Sequence, residues 1–284
     1  MLIFVFNLKS IAQPLPPIQL DRPDQTECSF IVPKGYIQAE NGFSYENINK
    51  DEKAIVYPST LWKYGLSKKV ELRLITELVT EKQKDFTVSG LTPIKLGFKV
   101  NISQEKGIIP VTSLIVHLVI PGIASQSFIS NYYAPSFRFT MQNTLSKKFS
   151  LGYNLGAEWD EQTHAPTYIY TLTTGYSITE KLNSYLEAYG FLAKNEWADH
   201  RIDGGFTYLL NEDMMLDISG GFGITKFSPI NYVALGFSYR FNTKALKFSH
   251  KKIFYREDNK TFLSKNNVSA IKRSTSQPFK IIKK

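Results

Sequence analysis

Between Phe149 and Asp160 apolar and polar residues alternate without a break. Phe149, Leu151, Tyr153, Leu155, Ala157 and Trp159 fall on one side; Ser150, Gly152, Asn154, Gly156, Glu158 and Asp160 fall on the other. A period of two puts each set on one face of a β-strand. The same period, bounded by turn residues, recurs at residues 36–46, 55–64, 70–79, 91–102, 111–120, 134–144, 149–160, 166–177, 183–193, 200–210, 214–224 and 231–241. Pro58 weakens the second of these unless that strand starts after it, because proline lacks an N–H for a sheet ladder. No stretch of similar length carries the 3.6-residue period of an amphipathic helix. The pattern predicts an all-β chain of about twelve strands.

The connections alternate in length. Residues 47–54, 80–90, 121–133, 161–165, 194–199 and 225–230 read as the longer ones, and between them lie mostly tighter turns. The turns "LSKK", "ISQEK", "LSKK", "ITEK" and "LNED" start at residues 66, 102, 145, 178 and 210, a spacing of one hairpin plus its loop. That is an up-and-down meander. Twelve antiparallel strands with short turns on one side and longer loops on the other match a single closed transmembrane β-barrel.

The faces support a membrane barrel over a soluble one. One face collects Leu72, Leu74, Leu96, Phe98, Val100, Leu114, Val116, Phe137, Phe139, Leu151, Leu155, Leu216, Ile218, Leu235 and Phe237. Trp62, Tyr64, Phe149, Trp159, Tyr168, Tyr176, Tyr208, Tyr239 and Phe241 fall near strand ends, where interfacial aromatic girdles belong. The opposite face holds the basic Lys63, Arg73, Lys95, Lys99, Arg138, Arg201 and Arg240 and the acidic Glu40, Glu71, Glu77, Glu158, Glu187, Asp203 and Asp217. Arg or Lys on the lipid face at mid-bilayer costs about 2–4 kcal/mol, so these charges belong in the lumen. A soluble barrel would reverse the two faces.

Charge and composition then set the boundaries. From Thr243 onward there are 12 Lys/Arg against 2 Asp/Glu, leaving 22 basic and 23 acidic side chains in the rest. The body is neutral and the tail basic, so a protein-wide field for nucleic acid is not expected. The single cysteine, Cys28, excludes an internal disulfide framework. "MLIFVFNLKSIAQ" reads as the end of a secretory signal, with Ser10 and Ala12 at a small-x-small cleavage site. The expected layout is a signal remnant at 1–12, a periplasmic leader or short plug at 13–34, the barrel at 35–242 and a basic, disordered tail at 243–284. An even number of strands puts both termini on the short-turn, periplasmic side of an outer membrane.

Several blocks carry a family likeness: "DRPDQTE", "VPKGYIQAENGFSYE", "YGLSKKVELRL", "KLGFKV", "FSLGYNLGAEWD", "DHRIDGGFTYLLNEDMMLDISGGFG" and "GFSYRFN". Over about residues 20 to 242 the chain resembles the "putative MetA-pathway of phenol degradation" family of bacterial outer-membrane barrels, often labelled transporters. The resemblance implies a barrel that passes small molecules, hydrophobic or aromatic ones among them. It implies no substrate-binding residue.

The candidate chemistry lies in the lumen. Glu158, Glu187, Asp203 and Asp217 suit either a cation site or, preferably, an ion-pair ladder with Arg201, Arg138 and Arg240 that stiffens a narrow interior. His117, with Ser113 nearby, keeps a lipid hydrolase on the list, although no third partner is evident. His164, Asp199 and His200 sit on or beside two of the longer loops and read as solvated residues, without metal-ligand spacing. "DRPDQTE" either folds into the lumen as a plug, bringing Asp21, Arg22 and Asp24 to the charge network, or stays a flexible leader. The expectation is a channel without catalytic residues, metal or cofactor, whose partners are outer-membrane lipid, an unidentified small solute and the assembly machinery. The alternatives are the lipid hydrolase and a closed, surface-binding barrel.

Overall fold

In a computed structural model the described residues are 15–194 and 196–244. The expected signal remnant at 1–12 and nearly all of the expected tail at 243–284 lie outside them. Thirteen strands follow one another: β1 (Tyr36–Asn47), β2 (Glu52–Gly65), β3 (Val70–Gln83), β4 (Phe86–Leu91), β5 (Lys95–Ser103), β6 (Val111–Val119), β7 (Ala134–Thr144), β8 (Phe149–Trp159), β9 (Pro166–Ser177), β10 (Leu182–Ala193), β11 (Asp199–Asn211), β12 (Met214–Gly223) and β13 (Asn231–Asn242). Successive strands pair antiparallel except β4 and β5, which both pair with β3 instead, and β1 pairs β13. Twelve strands therefore close a ring, and β4 is an extra strand outside it. Closure leaves no open edge along the wall.

β4 corrects the expected loop at 80–90. The lower half of β3, Val70 to Ile75, pairs with β5, while its upper half, Leu78 to Gln83, pairs with β4. The predicted strand 91–102 accordingly starts only at Lys95. The loop after β1 also shrinks, because β2 begins at Glu52 and runs through Pro58. The register shifts there against both neighbours, between Val56 and Ser59 on the β3 side and between Gly42 and Ser44 on the β1 side. A bulge takes the proline out of the ladder, so the strand does not have to start after it.

The recurring turns share one construction. Ser67 Oγ accepts from the N–H groups of Lys69 and Val70, Ser146 Oγ from those of Lys148 and Phe149, and Thr179 Oγ1 from those of Lys181 and Leu182. In each turn two more N–H groups donate to the carbonyl that opens the next strand. A hydroxyl in the second position satisfies donors that a tight turn turns away from the sheet.

The outer face is an apolar band. Leu72, Leu96, Phe98, Phe139, Leu155, Leu216, Ile218 and Leu235 are all exposed on it. At the short-turn end Phe149 packs on Tyr176 at 4.8 Å, and Phe237, Tyr239 and Phe241 stack in series. Inside, the buried residues are largely polar or charged, among them Glu40, Lys63, Glu71, Lys99 and Glu187. The apolar core is a small cluster of Ile18, Leu209 and Met215 with Leu20 against it, at the short-turn end.

Candidate functional site

The lumen is filled by the chain itself. Residues preceding β1 enter at the short-turn end, where Ile18 N donates to Glu212 O and Arg240 Nη2 donates to Pro16 O. They run up into the barrel and return, so that Gly35 N donates to Gly65 O beside the β2–β3 turn. The segment forms no strand with the wall and is held largely by side chains.

Its first anchor is Asp21, which meets three cations from three adjacent strands. Lys63 Nζ of β2 lies 2.9 Å from Asp21 Oδ2, Arg73 Nη1 of β3 lies 2.8 Å from the same oxygen, and Lys99 Nζ of β5 lies 2.8 Å from Oδ1. Glu40 of β1 accepts the Asp21 backbone N–H at 2.9 Å and pairs with Lys63. Burial raises the cost of charging Asp21, but the fields of Lys63, Lys99 and Arg73 outweigh it and hold the carboxyl well below the usual carboxylate range.

Arg73 binds on every side of its fork. Nη2 reaches Glu27 Oε2 at 2.6 Å, Nη1 also reaches Glu71 Oε1 at 3.1 Å, and Nε donates to His117 Nε2 at 3.0 Å. Glu71 in turn accepts from Val32 N at 2.9 Å, and Lys99 donates to Cys28 O at 2.9 Å. Cys28 packs here with its thiol pushed up to about 12 by burial and by Asp21, so it stays protonated.

Round the ring, the basic wall ends at Arg138, and beyond it the same segment meets mostly neutral polar groups and carboxylates. Arg138 Nη1 donates to Gln25 O at 3.0 Å. Asn154 of β8 both accepts from Glu27 N at 2.7 Å and donates to Glu27 O at 3.1 Å. Ser113 donates to Ser29 O at 2.7 Å, and Ser29 donates to Thr140 at 3.1 Å. Thr26 bonds Thr171 at 2.6 Å, and Glu187 of β10 accepts from Gln25 N at 2.7 Å and from Thr26 Oγ1 at 2.5 Å. Arg22 reaches Asp217 of β12 at 3.2 Å, its guanidinium lying where any Cβ on Gly42 would collide with it. Asp24 faces Glu187 and Asp203; burial and these two neighbours push its carboxyl well above the usual range.

The lumen charges thus divide into two opposed walls. Lys63, Arg73 and Lys99 sit on β2, β3 and β5, and Glu187, Asp203 and Asp217 on β10, β11 and β12, across the ring from them. The expected ladder between these carboxylates and Arg138, Arg201 and Arg240 is not how they pair. Arg201 binds Asp199 and Glu46 near the long-loop end, Arg240 binds Asp213 at the short-turn end, and Asp203 accepts from Tyr232 OH. Glu77 accepts from Ser59 Oγ at 2.8 Å. Lys95 and Glu158 line a cavity of about 290 Å³ at the long-loop end, with Ser136 and Thr167, above the inserted segment. A second cavity, about 330 Å³, opens between the segment and the short-turn ends of β7 to β12.

Ser113 and His117 are engaged with Ser29 O and Arg73, so the geometry assembles no nucleophile with a base. His164, Asp199 and His200 are not brought together: His164 packs against Tyr132 at a tilt, Asp199 pairs with Arg201, and His200 Nδ1 meets Tyr170 OH at 2.8 Å. Among the described residues no group of three His, Cys, Asp or Glu is placed to hold a metal ion. Glu27, Thr26, Asn154 and Thr171 also hold the segment, although the sequence pattern does not single them out. Asn154 carried a signal, being an amide in the middle of a strand's polar face.

The family described as "Putative MetA-pathway of phenol degradation" matches residues 20–241. The chain belongs to this family. The match takes in the inserted segment from residue 20 as well as the ring. No curated protein is significantly similar to the sequence. Among solved structures the chain is similar to the COG4313 outer membrane channel from Pseudomonas putida F1, at a TM-score of 0.58 and 13% identity over 75% of this chain and 98% of that one. It is also similar to the NanC porin, at a TM-score of 0.49 and 9% identity over 72% and 98%. The first of these likenesses establishes a shared fold, a β-barrel of the outer-membrane type.

Proposed function

We propose that the chain is an outer-membrane channel for small solutes that rests closed, its lumen occupied by residues 18–32, and that it conducts when this segment yields. One observation carries the reading: the segment is held inside an apolar-coated barrel by ion pairs and side-chain hydrogen bonds, without a ladder to the wall. Such contacts can exchange for water or solute while the ring keeps its backbone bonds. The cavities of about 330 and 290 Å³ at the two ends suit a small molecule on either side of the block. The family description and the fold shared with an outer membrane channel support the same class.

In this reading the short turns, the start of β1 and the end of β13 face the periplasm, and the long loops face outward. The solute is small and, from the family description, hydrophobic or aromatic; outer-membrane lipid and the assembly machinery are the remaining partners. Reconstituted in planar bilayers, the full chain is expected to show brief openings on a closed baseline. Arg73→Met lengthens them by removing the group that holds Asp21 and Glu27 together. Silence of both proteins at all voltages would refute the channel reading. It would favour instead a closed barrel that works through its longer loops, a reading supported by how completely the segment fills the lumen.

A further inference from the structure

The basic wall is a carboxylate clamp whose present occupant is the chain itself. Lys63, Arg73, Lys99 and Arg138 face only two carboxylates supplied by the neighbouring strands, Glu40 and Glu71. The two that complete the balance, Asp21 and Glu27, both come from the inserted segment. When that segment moves aside, the wall is left with two unpaired positive charges in a confined space. Such charges are costly unless another anion takes their place.

The clamp also has a shape. Asp21 Oδ2 sits on Arg73 Nη1 at 2.8 Å and Glu27 Oε2 on Nη2 at 2.6 Å, so two carboxylates lie side by side on one guanidinium. Lys99 Nζ then reaches both oxygens of the Asp21 carboxylate, at 2.8 and 3.1 Å. A planar fork flanked by point charges discriminates by geometry as well as by charge. We propose that in the open state this wall binds a small organic dianion whose two carboxylates lie close together on the same side of the molecule, and that Asp21 and Glu27 are its built-in competitors. The proposal rests on the channel reading and narrows its solute to small molecules, aromatic ones included, that carry two neighbouring carboxylates.

The probes are maleate, which holds its carboxylates on one side of a double bond, and fumarate, which holds them on opposite sides. Titration calorimetry on the full chain in detergent compares the wild type with Asp21→Asn/Glu27→Gln, which vacates the clamp at nearly constant volume. The expected result is that the variant binds maleate at least tenfold more tightly than the wild type and more tightly than fumarate. Adding Lys99→Met removes the gain. Equal binding by variant and wild type, no preference between the isomers, or a gain that survives Lys99→Met overturns the proposal. If the double variant does not migrate as a heat-modifiable barrel, Glu27→Gln alone, which empties one position, is titrated with acetate. A tenfold gain over the wild type supports the clamp and no gain overturns it. Bilayer conductance is read separately, so a silent channel sinks the transport reading while calorimetry still decides the clamp.

Discussion

Arg73 contacts Asp21, Glu27, Glu71 and His117 from one guanidinium, with its side chain almost wholly buried. Removing it leaves three carboxylates short of a partner in a confined interior. Breaking a buried pair in this way costs roughly 3–5 kcal/mol. Arg73→Met is therefore expected to lower the temperature at which the folded gel band disappears, and Arg73→Lys recovers only part of the loss, having no fork. Asp24 works in the opposite sense. Its raised pKa means that its contribution to holding the segment is fully present below the ordinary carboxylate pKa and is lost as pH rises through the folded-state value. Raising the pH through that value charges Asp24 against Glu187 and Asp203, so open probability in bilayers rises with pH, and Asp24→Asn flattens that rise. An unchanged pH profile in the Asn variant would exclude Asp24 as the source.

At the scale of single elements, the turns after β2, β7 and β9 use one hydroxyl to hold two backbone donors. These groups are near solvent, so water replaces most of what is lost. Ser67→Ala or Ser146→Ala is expected to cost only about 0.5 kcal/mol, measured as a small shift in the urea midpoint of unfolding, and the two costs add because the turns are separate. The hydroxyl turn was legible as the repeated "LSKK" and "ITEK" tetrapeptides, since its chemistry is local. β4 was not legible, because "FTVSGL" alternates over only four residues before its glycine, too short a run to stand out from a loop. It exists because β3 extends beyond the end of β5 and needs a partner there. The strand at 55–64 was legible but its passage through Pro58 was not, for a related reason: the bulge that accommodates the proline depends on register with both neighbours. In the lumen, the facing of Lys63, Arg73, Lys99 and Glu187 followed from parity alone. Their actual partners did not, because Asp21, Arg22 and Glu27 lie in a segment with no period at all.

For the whole molecule the sorting of faces is the quantity that matters. Leu155 is exposed on the apolar band, while its neighbour Asn154 is fully buried against the inserted segment. Leu155→Arg is expected to destabilise the barrel in lipid by about 2–4 kcal/mol if it sits near mid-bilayer, read by denaturant unfolding in bilayers, with a much smaller effect in detergent. A substitution at Asn154 acts differently, by freeing Glu27 rather than by burdening the wall. The seating of the inserted segment also has a history. Residues 16 to 32 bond Glu40 on β1, Glu187 on β10, Asp217 on β12 and Arg240 on β13. Those partners stand around one space only after β13 has been made and has paired with β1. Contacts this distant along the chain form late in folding. The earliest residues of the described chain are thus the last to reach their places, and the interior is locked in the same event that shuts the ring.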